Sequence, residues 1–177
     1  VSSATGAIGG SSDGAGSDSP DTEGTVTVSG MGTKWSNSGG VSIGEASKGN
    51  LIIENGGQVS NTTGVIGNQF ESDSRTGLGK VTVTGADSKW TNSGNLTIGN
   101  AGVGTLNILD GGETFNKSGL IGQQSGSTGT VTVSGPNARW TNSETLLVGS
   151  FGTGNVTIAN SGQVSSNFGF LGAQETG

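Results

Sequence analysis

Apolar side chains along this chain come in short alternating runs. In the stretch 26–43 they fall at Val26 and Val28, then Trp35, then Val41 and Ile43, with Thr27, Lys34, Ser36 and Ser42 interleaved. A period of two sends the apolar set, with Asn37, to one face of extended backbone and the interleaved residues to the other. Turn-forming residues divide the runs. Gly30-Met31-Gly32, Gly85-Ala86-Asp87 and Gly135-Pro136-Asn137 mark the first turn in three stretches. Asn55-Gly56, Asp110-Gly111 and Asn160-Ser161 mark it in three others. Gly, Asn and Asp tolerate left-handed backbone, and Pro136 presets a turn with Asn137 behind it. Asn55-Gly56 is also a tight-hairpin sequence, which makes a hairpin the rival reading.

Spacing separates the two readings. Long units run over Val26–Gly44, Val81–Gly99 and Val131–Gly149, and shorter ones over Asn50–Gly67, Thr105–Gly122 and Asn155–Gly172. Residues 1–9 match the tail of a short unit. From opening to closing glycine the long bodies (24 to 44, 79 to 99, 129 to 149) always span 20 positions. The short bodies (49 to 67, 104 to 122, 154 to 172) always span 18. Connectors into short units always span five positions, whereas those into long units span fifteen, twelve and seven. Constant bodies with variable insertions at one recurrent place describe a solenoid with loops on one edge, and hairpins leave both constant lengths unexplained.

Three strands per body make one triangular coil, which cannot bury its own interior or pair its own backbone, so coils must stack. The expected fold is all-β: a right-handed parallel β-helix of about six full triangular coils plus a partial N-terminal coil. It forms a single unit over 1–177, with loops projecting at 10–23, 68–78 and 123–128. At about 4.8 Å per strand, six coils rise roughly 29 Å. Gly9, Gly44, Gly67, Gly99, Gly122, Gly149 and Gly172 fall at one corner, where a side chain clashes or φ is positive. Asn37, Asn61, Asn92, Asn116 and Asn142 fall at another and predict a buried amide ladder along the axis, with Ser3 and Ser166 replacing Asn at its ends. Trp35, Trp90 and Trp140 share the inward phase, and their short-unit counterparts are Val59, Thr114 and Val164. Large rings alternating with small residues predict a core role rather than exposed sugar-stacking platforms.

Composition modifies this picture little. Only 28% of the 177 residues are hydrophobic and 37 are Gly, which suits disorder or repetitive β structure; recurring runs such as Val81-Thr82-Val83 favour the second. The net charge is −6 with seven scattered Lys and Arg, which argues against a nucleic-acid partner. Without Cys there is no disulfide framework and no thiolate metal site. No stretch approaches the roughly 18 apolar residues of a membrane helix, so no membrane insertion is expected. Because the first residues already read as repeat, the chain reads as a segment of a longer protein.

The pattern G-x-V-T-V-[ST]-G-x-x-x-[KR]-W-[ST]-N-S, then apolar-x-apolar-Gly, then G-x-apolar-x-I-x-x-x-G-x-V, covers nearly the whole chain and recurs three times. It resembles the repeat associated with type V secretion (autotransporter) and PEP-CTERM proteins. That resemblance implies a β-helical passenger region of a large bacterial surface adhesin, extracellular and anchored to the outer membrane through another region. The family brings no catalytic motif and no cofactor.

A catalytic site on such a scaffold would show as chemistry shared along the aligned columns. Polysaccharide-cleaving β-helices need clustered carboxylates with cations beside them. Here Glu54 aligns with Leu109 and Ala159, Glu113 with Gln58 and Gln163, and Asp110 with Asn55 and Asn160, so neither catalysis nor a metal or cofactor site is expected. Ice-binding Thr-x-Thr arrays begin at Thr25/Thr27 and Thr130/Thr132 but are broken by Ile52 and Asn107. The candidate interaction residues are therefore in the connectors: Asp13, Asp18, Asp21 and Glu23, and Phe70, Glu71, Asp73 and Arg75. Phe115 and Phe151 are further candidate exposed contacts. The expected partner is a host or bacterial surface protein or glycan, with self-association through unpaired end strands as the architectural alternative.

Overall fold

The computed structural model describes residues 2–10, 23–45, 47–68 and 76–172, and among them every regular element is a β-strand. The chain opens with β1 (Ser2–Ser3) and β2 (Gly6–Gly10). The first two full coils are β3 (Glu23–Ser29), β4 (Lys34–Asn37) and β5 (Val41–Glu45), then β6 (Lys48–Glu54), β7 (Gln58–Asn61) and β8 (Gly64–Asn68). The next two are β9 (Leu78–Thr84), β10 (Lys89–Asn92) and β11 (Leu96–Ile98), then β12 (Val103–Leu109), β13 (Glu113–Asn116) and β14 (Gly119–Ile121). The last two are β15 (Thr128–Ser134), β16 (Arg139–Asn142) and β17 (Thr145–Val148), then β18 (Thr153–Ala159), β19 (Gln163–Ser165) and β20 (Phe168–Leu171).

Each coil contributes one strand to each of three sheets. The opening sheet runs β18-β15-β12-β9-β6-β3, the middle sheet β1-β4-β7-β10-β13-β16-β19 and the closing sheet β2-β5-β8-β11-β14-β17-β20. All pairings are parallel, and the opening glycines stay in register through Gly24, Gly49, Gly79, Gly104, Gly129 and Gly154. This is the β-solenoid of about six turns that the spacing predicts. The connectors are shorter than the sequence reading drew them. Gly10, Glu23, Asn68, Leu78 and Thr128 lie inside strands, because opening strands begin one residue before the glycine and β2, β5 and β8 run one residue past theirs.

The Asn55-Gly56 corners have hairpin-type backbone without making hairpins. Asn55 and Gly56 both have positive φ (53° and 83°), and the Gly57 N–H donates to the Glu54 carbonyl at 2.9 Å. A hairpin needs a free edge, however, and β6 is paired on both sides, by β3 and β9. The turn therefore only redirects the chain into the middle sheet.

The core is a set of straight columns. Val28, Ile53, Val83, Ile108, Val133 and Ile158 form one, and Ile8, Ile43, Ile66, Ile98, Ile121, Val148 and Leu171 another. The opening sheet uses Val and Val in the long coils at 81/83 and 131/133, but Leu and Ile in the short coils at 51/53 and 106/108. The short coils thus bring larger aliphatics where they lack a tryptophan, which keeps each layer filled.

The closing glycines explain the sharpest corner. All seven have positive φ between 61° and 71°, a region that costs other residues roughly 1–2 kcal/mol. At most of them the backbone that opens the coil after next also blocks a side chain. A Cβ on Gly99 would sit 2.4 Å from the Thr128 carbonyl oxygen, while its own N–H donates to the Ile66 carbonyl at 2.7 Å. Gly126 also has positive φ, but open space surrounds it. Gly126→Ala should therefore cost about 1 kcal/mol, and Gly99→Ala at least about 2 kcal/mol more, because stacked backbone cannot yield. Urea unfolding of the two variants checks this, and equal midpoints would contradict it.

Candidate functional site

The middle sheet carries the polar chemistry of the interior. Trp90 pairs in register with Val59 and Thr114, and Trp140 with Thr114 and Val164, so each ring lies between small residues. Trp90 and Trp140 are fully buried; Trp35, towards the N-terminal edge of that sheet, is only half-buried against the core. The rings fit because of glycines in the closing sheet of the coil below. A Cβ on Gly6, Gly64 or Gly119 would lie 2.7, 2.8 or 2.6 Å from Cζ2 of Trp35, Trp90 or Trp140 respectively. The long coils place Val41, Leu96 and Leu146 in that register instead.

These glycines were not singled out by sequence reasoning, which took the ring's partners only from its own column. The signal was present: short units end Gly-Val-Ile-Gly or Gly-Leu-Ile-Gly where long ones end Val-Ser-Ile-Gly or Leu-Thr-Ile-Gly.

The asparagines are buried as predicted, but they pair in twos rather than in one ladder. Asn61 Nδ2 donates to Asn92 Oδ1 at 2.5 Å while Asn61 Oδ1 accepts the Trp90 indole N–H at 2.7 Å. Asn116 repeats this with Asn142 at 2.6 Å and Trp140 at 2.7 Å. At the N-terminal edge the Ser3 hydroxyl donates to Asn37 Oδ1. Each link joins a short coil to the long coil after it. Among the described residues no amide pair joins the opposite steps, although Asn142 Nδ2 donates to the Ser165 carbonyl at 3.3 Å, and Asn37 Nδ2, Asn92 Nδ2 and the Thr114 hydroxyl are buried without partners. Strand pairing includes the asparagine position at Ser3–Asn37, Asn61–Asn92 and Asn116–Asn142 but stops one residue before it in the opposite steps.

The outer faces hold the remaining candidates apart. Glu54 neighbours Ser29 and Thr84 in register, and Lys89 bridges Glu113 at 2.9 Å, a partly exposed pair worth about 0–1 kcal/mol. Ala86, Asp87, Asp110, Glu113, Pro136 and Asn137 line a shallow groove at the first turns. Thr27, Ile52, Thr82, Asn107, Thr132 and Thr157 form one outward column, so Ile52 and Asn107 interrupt its threonines. Phe115 faces outward between Thr91 and Thr141 but is half-buried, and Phe151 is exposed.

Of the connector candidates, Glu23 is exposed and starts β3 opposite Lys48. Asp13, Asp18, Asp21, Phe70, Glu71, Asp73 and Arg75 lie outside the described residues. Among the described residues, no three His, Cys, Asp or Glu side chains are grouped to hold a metal ion, and no helix is long and apolar enough to cross a membrane. No protein-family model matches the chain, and neither does any curated protein or solved structure.

Two substitutions test the buried polar set from opposite sides. Asn61→Ala strands the Trp90 N–H and should cost about 1–3 kcal/mol in urea unfolding, with Trp90 becoming accessible to iodide quenching. Thr114→Val removes an unpaired hydroxyl at a position where Val59 and Val164 already serve, and should raise stability by roughly 1 kcal/mol. A destabilised Thr114→Val would show that the hydroxyl is bonded.

Proposed function

We propose that the chain is a rigid segment of a surface-exposed passenger region of the autotransporter type, which holds variable connectors out for adhesion. One observation carries this reading. The connectors of unequal length all leave the closing sheet and enter the opening sheet, after β2, β8 and β14, at the same corner of alternate coils. Insertions there leave every strand register intact, so the scaffold tolerates change at the one edge that displays it. Successive display points stand two coils apart, roughly 10 Å along the axis. The reading takes the segment as extracellular at a bacterial cell surface, binding a host or bacterial surface protein or glycan, with no catalytic step. The repeat's resemblance to autotransporter passengers supports that location.

The third connector supplies a control, because its seven positions from 122 to 129 close the corner in the native chain. Replacing the connectors at 10–23 and 68–78 with this short one should preserve the melting curve. It should also abolish binding of the purified chain to matrix proteins or a glycan array. Undiminished binding would move the adhesive surface to the sheets. A native chain that binds nothing would leave an architectural spacer.

A further inference from the structure

The corner after β6 sets side by side the two groups of a self-modifying reaction. Asn55 is exposed there, and it and Gly56 both have left-handed backbone, with φ of 53° and 83°. A Cβ on Gly56 would stand 3.1 Å from Met31 Cγ, so packing as well as φ favours glycine after the asparagine. Asparagine is among the thermolabile residues, and glycine behind it removes the side chain that would shield the next amide nitrogen. Both reacting groups are nevertheless held. The buried Gly56 N–H donates to Ser88 Oγ at 3.0 Å, and Ser88 is itself 0% exposed. Asn55 Nδ2 donates to Ser29 Oγ at 3.1 Å.

The place of Ser88 recurs in every long coil. The N–H groups of Thr33, Ser88 and Ala138 donate alike to the carbonyls of Gly30, Gly85 and Gly135, at 3.1, 3.2 and 3.3 Å. The equivalent of Asn55 in the next short coil is Asp110, also left-handed with φ 43°, since Glu54, Thr84 and Leu109 are in register. The hydroxyl is thus present in the long coil that follows the asparagine and absent, at Ala138, in the one that follows the aspartate.

We propose that Asn55-Gly56 is a deamidation site and that Ser88 restrains it. A base from solvent removes the Gly56 amide proton, the nitrogen forms a bond to Asn55 Cγ, and the Cγ–Nδ2 bond breaks with loss of ammonia. Water then opens the cyclic imide at one of its two carbonyls, giving aspartate or isoaspartate, with no oxidation or reduction. Ser88 opposes the first step twice. It keeps the amide proton where solvent does not reach, and it fixes the peptide plane that the attack must rotate. The fold accepts aspartate at this corner, as Asp110 shows. Isoaspartate would lengthen the main chain inside the turn that the Gly57 N–H closes onto the Glu54 carbonyl at 2.9 Å.

The test incubates the chain in mildly alkaline buffer, native and urea-unfolded, and follows the amide-to-acid mass gain at Asn55 by peptide mapping. Folding should slow the conversion by about tenfold or more, since attack then waits on local opening. Ser88→Ala should speed the native chain about fivefold, the factor that one net hydrogen bond is worth. Ala138 shows that the place accepts alanine. Ser88→Thr, the residue that Thr33 already places there, keeps the hydroxyl and should keep the slow rate. An unchanged rate in Ser88→Ala overturns the proposal. So does a Ser88→Thr chain that reacts as fast as Ser88→Ala, which would assign the protection to packing rather than to the hydroxyl. A native chain that converts as fast as the unfolded one overturns it too. None of these readouts depends on adhesive activity.

Discussion

An indole ring in a parallel ladder has no lateral escape. Its backbone is fixed by hydrogen bonds above and below, and the strand spacing of about 4.8 Å fixes how near the next layer comes. Trp90 and Trp140 are accommodated because the layer beneath gives up a side chain at Gly64 and Gly119, and because Asn61 and Asn116 accept their N–H groups. A buried indole N–H without an acceptor loses the full desolvation cost. Ring, glycine and asparagine therefore form one unit shared by two coils. The Val/Val and Leu/Ile alternation in the opening sheet is the aliphatic response to the same constraint.

That coupling explains which parts of the structure were legible in the sequence. The coil, its three sheets and the glycine corner were readable because each rests on a local rule repeated in every unit. Period-two alternation, constant body length and a glycine at one place all appear within a single unit. The direction of the amide bonds was not readable. It depends on whether neighbouring backbones stay paired through the asparagine, as at Asn61–Asn92 and Asn116–Asn142 but not at Asn37–Asn61 or Asn92–Asn116. Gly64 and Gly119 were passed over for a related reason: their role is visible only against a ring that belongs to another coil and another sheet.

The candidate interaction surface was legible in position but not in detail. Insertion lengths alone placed the connectors at one corner, and the strand order puts them there. The 68–78 connector is one residue shorter at each end, because pairing continues past Gly67 to Asn68 and resumes at Leu78, before Gly79.

The short-to-long links have a consequence for how such an array grows. If the stable joint lies within a two-coil pair, the natural increment of length is two coils, roughly 10 Å of rod. A duplication or deletion of a single coil would set ring on ring or glycine on glycine. One of two coils would leave every contact as it was. Rod length in this architecture is then a stepped quantity, and lineages of the repeat should differ by even numbers of coils.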